Sequence, residues 1–192
     1  MRRTGAERIL KAALKVIEEE GPTNMTLRGI ARAAGVTEPA LYRHFGSKRD
    51  LLRELFGYCS QLMYAYLEER AQGSRTPVER LGRLGVGMFD FALEHPEEYV
   101  FIVAVHNQEL RDIDVRSERL PKDLFVEAVE ALPGMTPGPP AALVAGTIIG
   151  AVMGVVLFHR IGLASSSCDE CRKHILRTVT YVAEASRRGI GE

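Results

Sequence analysis

Polar and basic side chains that could bind a polyanion lie close together between residues 26 and 48. They are Thr26, Arg28, Thr37, Tyr42, Arg43, His44 and Lys48. Arginine can donate two parallel hydrogen bonds to guanine, and hydroxyl, imidazole and ammonium groups can each donate to phosphate. The chain has no Ser-His-Asp order, Gly-rich phosphate loop or HExxH motif. The pattern therefore favours nucleic-acid binding, and we expect neither enzymatic activity nor a cofactor.

The segment 27–45 has the spacing of a helix-turn-helix. Ala31 is small where two helices must cross closely, and Gly35 can supply the positive φ of a tight turn. Three apolar residues are expected to form the small core behind the two helices: Ile30, Val36 and Leu41. Phe45 should be buried and seal the motif against the preceding helix. The polar residues around Thr37 and Arg43 then lie on the face that, in this motif, enters the major groove.

Helical periodicity continues through the rest of the chain, which predicts an all-α protein of about nine helices. The predicted helices cover 6–20, 26–34, a third from 37, a fourth from 47, 78–93, a sixth from 96, 122–132, 141–163 and 168–188. Ser47 and Asp50 have the spacing of a capping box at the start of the fourth helix. We place a helix-turn-helix domain at 1–47 and a second helical domain at 48–192.

The charge balance hides a division between these two parts. The 192 residues carry 25 basic and 25 acidic side chains, but the first 50 residues carry 10 basic against 6 acidic ones, a net of +4. The remainder has a net of −4, so the polyanion-binding character belongs to the N-terminal part. The first residues lack the apolar core of a signal peptide, and three cysteines are too few for a disulfide scaffold. We expect a cytoplasmic protein.

Gly35-Val36-Thr37, followed by Leu41-Tyr42-Arg43-His44-Phe45-Gly46-Ser47-Lys48, resembles the signature of the TetR family of bacterial transcriptional regulators. The resemblance covers roughly residues 6–55. It implies a repressor that binds a palindromic operator in double-stranded DNA as a homodimer. It also implies a C-terminal effector-binding and dimerisation domain, with release by a small, largely apolar effector. An acyl or CoA-type metabolite is an open alternative for that effector.

The residues of the motif divide between DNA backbone and bases. Thr26 and Thr37 stand at helix starts, where hydroxyls and free amides suit a phosphate. The resemblance implies backbone contacts for three further residues: Tyr42, His44 and Lys48. Four residues are candidates for base contact: Arg28 and Arg43 for guanine or a phosphate clamp, and Pro39 and Ala40 for a thymine methyl. Glu38 could accept a hydrogen bond from cytosine, although we favour interaction with the helix dipole.

An uncharged run of 18 residues, 141–158, contains Gly146, Gly150 and Gly154 at intervals of four. This spacing lets helices approach closely, and it predicts a dimer interface. A membrane span is the alternative, which we disfavour because glycine and alanine dilute the hydrophobicity and no aromatic belt flanks the run. The resemblance implies a four-helix bundle between two subunits, to which the final helix would contribute a stripe containing Ile175, Val179 and Val182.

Aromatic, methionine and histidine residues of the C-terminal part are the candidates for an effector pocket, if the arrangement in the resembling family applies. They are Phe89, Phe91, Tyr99, Phe101, His106, Phe125, Met153, Phe158 and His159. Such side chains are usually core residues, so this prediction concerns the region more than any single residue.

A second functional hypothesis comes from the pair Cys168 and Cys171. CxxC spacing places two thiols on one helical face, and His174 could supply a third metal ligand. One CxxC is a weak metal signal, because zinc sites normally use two such pairs. We keep a repressor that senses a metal or a thiol oxidant through these residues as the alternative to a repressor that senses an organic effector. Cys59 lies on an apolar stripe and is expected in the core.

Overall fold

The computed structural model describes residues 2–21, 24–105, 119–163 and 166–187, and every regular element in these ranges is an α-helix. The helices are α1 (Arg2–Glu20), α2 (Leu27–Ala33), α3 (Glu38–His44), α4 (Lys48–Ala71), α5 (Pro77–Glu94), α6 (Pro96–Val105), α7 (Pro121–Glu130), α8 (Pro139–Arg160) and α9 (Cys168–Arg187). The all-α prediction is confirmed. His106, one of the predicted pocket residues, lies outside the described residues.

The chain forms two compact units, whose bounds do not follow the order of the helices alone. Unit 1 contains Met1–Ser60 and His95–Ser117, and unit 2 contains Gln61–Glu94 and Glu118–Glu192. Helix α4 contributes its first half to unit 1 and its second half to unit 2, while α6 belongs to unit 1. The predicted domain boundary at residue 47 stays a prediction.

Unit 1 is built on the apolar stripe of α1, which contacts α2 and α6. Ile9, Ala13 and Leu14 are buried, and the lysines between them are exposed, as the helical period predicts. The chain leaves α1 through Gly21, whose φ of +79° suits a residue without a side chain. Unit 1 therefore holds α2 and α3 on a helix that is itself anchored by a continuous apolar face.

Unit 2 packs α5 against α7, α8 and α9, and α8 also contacts α7 and α9. Gly85 of α5 allows a close approach, since a Cβ there would lie 3.0 Å from Cγ2 of Ile175 and 3.3 Å from Cγ2 of Val179. Both α9 residues are buried within the protomer. The prediction that Ile175 and Val179 form a dimer surface is therefore wrong for their side chains, because the stripe that they share faces α5. Val182 is half-buried.

Candidate nucleic-acid interface

The turn between α2 and α3 has the geometry that the sequence predicts for a helix-turn-helix. Gly35 has a φ of +62°, in the region that residues with a side chain rarely adopt. Ile30, Ala31 and Leu41 are buried and Val36 is half-buried, which gives the motif its small core. The amide of Val36 donates to the carbonyl of Ala31, and this bond holds the turn.

Both helices of the motif begin at a threonine cap. Thr26 Oγ1 accepts a hydrogen bond from the amide of Gly29 at 3.0 Å, and Thr37 Oγ1 accepts one from the amide of Ala40 at 3.3 Å. Each hydroxyl keeps its own hydrogen free to donate outward. Both threonines are exposed, so each helix start presents a hydroxyl donor and the positive end of the helix dipole to solvent.

One side of α3 is exposed and the other is sealed. Tyr42 is 50% exposed, and Arg43 and His44 are also exposed. Leu41 before them and Phe45 after them are buried. The prediction that Phe45 belongs to the core is confirmed. The buried pair fixes the rotation of α3, so its polar residues face outward as a set.

Glu38 and Arg28 link the two helices of the motif. The Nε atom of Arg28 lies 3.8 Å from Oε1 of Glu38, and both side chains are largely exposed. An exposed pair of this kind contributes little to stability. Glu38 also stands in the first turn of α3, where an acid stabilises the helix dipole. Glu38 therefore has a partner within the protein. The next two residues of α3 are Pro39, which is exposed, and Ala40, which is half-buried.

Lys48 begins α4 directly after a cap. The amide of Asp50 donates to Ser47 Oγ at 3.1 Å, and the Ser47 hydroxyl donates to the carboxylate of Asp50 at 2.8 Å. Lys48 is half-buried at this helix start. At the other end of the motif, a Cβ at Gly5 would lie 3.3 Å from Nε2 of His44, so the beginning of α1 packs closely beside the end of α3. No local sequence pattern predicts this contact.

The residues predicted for an effector pocket do not share one unit. Tyr99 and Phe101 are buried in unit 1, whereas the other described members belong to unit 2. Phe89, Phe91 and Phe125 are fully buried, Met153 and His159 are half-buried, and Phe158 is exposed. Whether any of them contacts an effector stays a prediction.

Unit 2 has an open groove of about 640 Å³ between α8 and α9. Gly154, Val155 and Phe158 form its apolar part, and Lys173 and Arg177 contribute positive charge. Of the residues predicted for the pocket, Phe158 borders this groove. Gly154 comes from the predicted dimer face, so the groove lies beside the surface for which the sequence predicts a second subunit.

The predicted third ligand of the cysteine pair does not join it. His174 lies 3.4 Å from Thr178 Oγ1, and no group of three metal-binding side chains occurs in the part of the chain that is described. The imidazole beside Cys168 and Cys171 belongs instead to His159, at the end of α8. Sequence reasoning missed this neighbour because a loop separates it from the CxxC motif.

The fold and the turn geometry define an all-helical protein of the helix-turn-helix class. Residues 9–55 match the model of the bacterial regulatory proteins of the tetR family. The resemblance predicted from the sequence is therefore confirmed for this segment.

This chain matches two curated proteins over about half of its length. It is 31% identical to nucleoid occlusion factor SlmA of Marinobacter nauticus over 47% of this chain and 46% of that protein. It is also 31% identical to the HTH-type transcriptional repressor KstR2 of Mycobacterium tuberculosis, over 53% of this chain and 50% of the repressor. The matched region thus spans about half the length of these relatives.

The likeness in fold extends further than the likeness in sequence. A TetR family transcription regulator from Marinobacter aquaeolei superposes with a TM-score of 0.80, at 18% identity, over 95% of this chain and 98% of that one. At this identity the match shows a shared fold and no more. The predicted arrangement of an N-terminal helix-turn-helix followed by a helical C-terminal part is thereby confirmed.

Proposed function

We propose that this protein is a cytoplasmic, DNA-binding transcriptional repressor that binds a palindromic operator as a homodimer. The observation that carries the proposal is the division of α3, where Tyr42, Arg43 and His44 are exposed while Leu41 and Phe45 are buried. A rigid helix with one polar, basic face fits the major groove. The name of the KstR2 relative, a transcriptional repressor, supports repression over activation.

Phosphate contacts would come from the ends of the helices. The capped starts of α2 and α3 offer the hydroxyls of Thr26 and Thr37, and the start of α4 offers Lys48. Tyr42 and His44 donate from the exposed face of α3. Contacts of this kind set position and affinity without selecting a sequence.

Base reading is assigned to Arg28 and Arg43. Both guanidinium groups are exposed, and each can form two parallel bonds to a guanine. Glu38, 3.8 Å from Arg28, is assigned to orienting that arginine and to the dipole of α3 rather than to cytosine. Pro39 and Ala40 supply the apolar surface beside it for a thymine methyl.

The dimer surface is assigned to the exposed side of α8. Leu143 is 74% exposed and Leu157 is 55% exposed, and Cβ atoms at Gly146 and Gly150 would meet nothing within 4 Å. Single exposed apolar residues are normal on a protein surface, whereas a continuous apolar face of this kind marks an interaction site. Tyr181 of α9, which is 75% exposed, is assigned to the same surface.

The same helix satisfies the simplest test for a membrane span. By length and composition α8 is able to cross a bilayer, with a mean hydropathy of 2.4, and it is the one such helix found among the described residues. We assign it to a second copy of this chain because Ala145, Ile148 and Val152 pack inside unit 2 on its other side. A helix that is buried on one face and apolar on the other suits a bundle of helices.

A small, largely apolar effector is proposed to release the protein from DNA through unit 2. Release requires the effector to bind the DNA-incompetent state more tightly, and a hundredfold preference corresponds to about 2.7 kcal/mol. The aromatic and methionine side chains of unit 2 favour an apolar ligand.

The experiment that tests this function is selection of duplex DNA from a random library by the purified full chain. We expect enrichment of palindromes whose half-sites are about 34–36 Å apart. Arg43→Ala should relax the preference at one base pair of each half-site, at a cost of about 1–3 kcal/mol against the wild-type site. Lys11→Ala, which removes an exposed positive charge from α1, is the matched control and should select the same sequence. Selection of no sequence at any salt concentration would overturn the proposal.

A further inference from the structure

Two thiols and one imidazole meet where α8 ends and α9 begins. Sγ of Cys168 lies 3.7 Å from Nε2 of His159, and Sγ of Cys171 lies 3.9 Å from Nδ1 of the same ring. These distances are within the range of hydrogen bonds to sulfur. One histidine thus contacts both cysteines, each through a different nitrogen.

The ring of His159 is held in this position by the core of unit 2. Its centroid lies 5.5 Å from that of Phe89, in an edge-to-face arrangement, and Phe89 is fully buried on α5. On α9, Arg172 pairs with Asp90 of α5 through a 2.8 Å contact. The residue that follows Cys171 is therefore anchored to the same helix that positions the imidazole.

The first turn of α9 gives the two cysteines a defined spacing. Ser167 caps the helix, since its hydroxyl accepts from the amide of Glu170 at 3.3 Å and its own amide donates to the Glu170 carboxylate at 2.7 Å. Residues three apart in an α-helix have Cα atoms about 5 Å apart. A disulfide requires about 4.4–6.8 Å, so Cys168 and Cys171 are within reach of each other.

The two thiols differ in access. Cys168 is half-buried, whereas Cys171 is buried. Burial raises the pKa of the Cys171 thiol above its ordinary value, with a smaller effect from the neighbouring Cys168 and Glu170. Cys168 is thus the sulfur that a solvent-borne reagent reaches first, and Cys171 keeps its proton at neutral pH until a base removes it.

We propose that Cys168 and Cys171 form a hydroperoxide-reactive dithiol that closes to an intrahelical disulfide, with His159 as the proton-transfer partner. The sulfur of Cys168 takes the terminal oxygen of the hydroperoxide, the O–O bond breaks, and an alcohol leaves. Cys168 is then a sulfenic acid. The sulfur of Cys171 attacks it, the S–S bond forms, the S–O bond breaks, and water leaves. Two thiols and one hydroperoxide thereby give one disulfide, one alcohol and one water.

The position of His159 between the two sulfurs fits both proton transfers of the second step. A neutral imidazole has one donor and one acceptor nitrogen. With hydrogen on Nε2, the ring accepts the proton of Cys171 at Nδ1 and donates from Nε2 to the hydroxide that leaves Cys168. His174 on α9, which the sequence offers as a possible metal ligand, lies 3.4 Å from Thr178 Oγ1 instead.

The test follows the thiols of the reduced full-length chain in the absence of DNA. With an equimolar alkyl hydroperoxide, we expect the protein to lose the mass of two hydrogens and two of its three thiols, and dithiothreitol to restore both. Peptide mapping should link Cys168 to Cys171 and leave Cys59 reduced. Cys171→Ser should stop at a sulfenic acid that dimedone traps.

A second variant tests the imidazole. His159→Gln should still form the sulfenic acid but close the disulfide about a hundredfold more slowly, since a general acid and base is lost. His174→Gln is the matched control and should close at the wild-type rate. The proposal is overturned if Cys168 reacts no faster than Cys59, if oxidation passes to sulfinic acid without a link, or if His159→Gln closes as fast as wild type. DNA selection by the reduced protein is measured separately, so failure of this chemistry leaves the proposed repressor function standing.

Discussion

At the scale of single residues, the candidate interface depends on which atoms keep a free donor after the protein has used them. Thr37 Oγ1 accepts from an amide and still carries its own hydrogen, whereas Glu38 already has Arg28 as a neighbour. Thr37 is thus ready for a phosphate and Glu38 is oriented within the motif. The proposed roles follow from these local bonds.

Lys48→Ala should weaken binding to every DNA sequence by a similar factor. The side chain lies at the start of α4, and in the proposed complex it is a point charge for one phosphate. Each such contact releases counterions. We expect the slope of log affinity against log salt to fall by about 0.9. Binding titrations from low to physiological salt provide the measurement.

Lys11→Ala is the control for Lys48→Ala, because it removes the same charge from a lysine that pairs with Glu7 on α1. It should leave the salt slope close to that of wild type. Equal slopes for Lys48→Ala and wild type would contradict the phosphate contact.

Residues whose role depends on nearby sequence were predictable, and those that depend on distant partners were not. Gly35, Thr37 and Phe45 follow from turn, cap and periodicity rules that operate within a few positions. His159 and Cys171 are 12 residues apart across a loop, and Asp90 and Arg172 are 82 apart. No local pattern specifies such pairs, because tertiary packing creates them.

At the scale of helices, local sequence patterns also fail to specify which neighbour an apolar stripe faces. The stripe of α9 was visible in the sequence, but a helical period does not say whether its partner is α5 or a second subunit. Gly85 settles the matter for Ile175 and Val179, since both lie within 3.3 Å of its ideal Cβ position. Propensity and period predicted the helices well, and the pairing of their faces required the structure.

Gly85→Ala should destabilise unit 2 by about 1–3 kcal/mol, less the gain in helix propensity. The new methyl would lie 3.0 Å from Cγ2 of Ile175, a buried β-branched side chain with little freedom to move. The measurement is urea unfolding followed by circular dichroism.

Gly82→Ala is a matched control one turn away on α5. Its new methyl would also lie 3.0 Å from a neighbour, but that neighbour is Cδ2 of Leu176, the end of a flexible side chain that is 43% exposed. We expect no loss of stability. Equal losses for the two variants would show that the clash with Ile175 does not govern the packing of α5 on α9.

Glu97→Gln should stabilise unit 1 at neutral pH. Burial raises the pKa of the Glu97 carboxyl, and the charges of Glu18 and Glu98 raise it further, against a smaller effect of Lys15. The folded state therefore holds the proton more tightly than the unfolded one. Stability from this group is present below the ordinary glutamate pKa and is lost as pH rises through the raised value.

Thermal unfolding of both proteins from acidic to neutral pH is the measurement for Glu97→Gln. The advantage of the variant should grow as pH rises and disappear in acid. Glu19→Gln, on the exposed side of α1, should give no such trend. A constant difference between Glu97→Gln and wild type at all pH values would contradict the assignment.

At the scale of the whole molecule, two observations belong together: a basic N-terminal part that contains the exposed polar face of α3, and an apolar face on α8. A single recognition helix reads few base pairs, so specificity would come from pairing two copies. The charge division was readable from the sequence, while the exposure of Leu143 and Leu157 was not. Hydropathy alone could not separate a dimer face from a membrane span.

Leu157→Lys should convert the proposed dimer to a monomer without unfolding the chain. The side chain is 55% exposed in the protomer, so a charge there costs little until a second apolar face must cover it. Sedimentation should show half the mass, and binding to a palindrome should weaken by much more than binding to a half-site. Gln72→Lys in the exposed loop after α4 is the control of equal added charge. A Leu157→Lys protein that stays dimeric would place the interface elsewhere.

The buried thiol of Cys59 can report the transient opening of unit 1. This thiol has no exposed surface, and desolvation raises its pKa far above the ordinary value. A thiol reagent can reach it only when α4 separates from its neighbours, so the labelling rate reads the population of that transient state. A ligand that binds only the closed state lowers the population of the open state. The factor is one plus the ligand concentration divided by its dissociation constant. Affinity for the proposed operator is thus measurable from the labelling kinetics of this native cysteine.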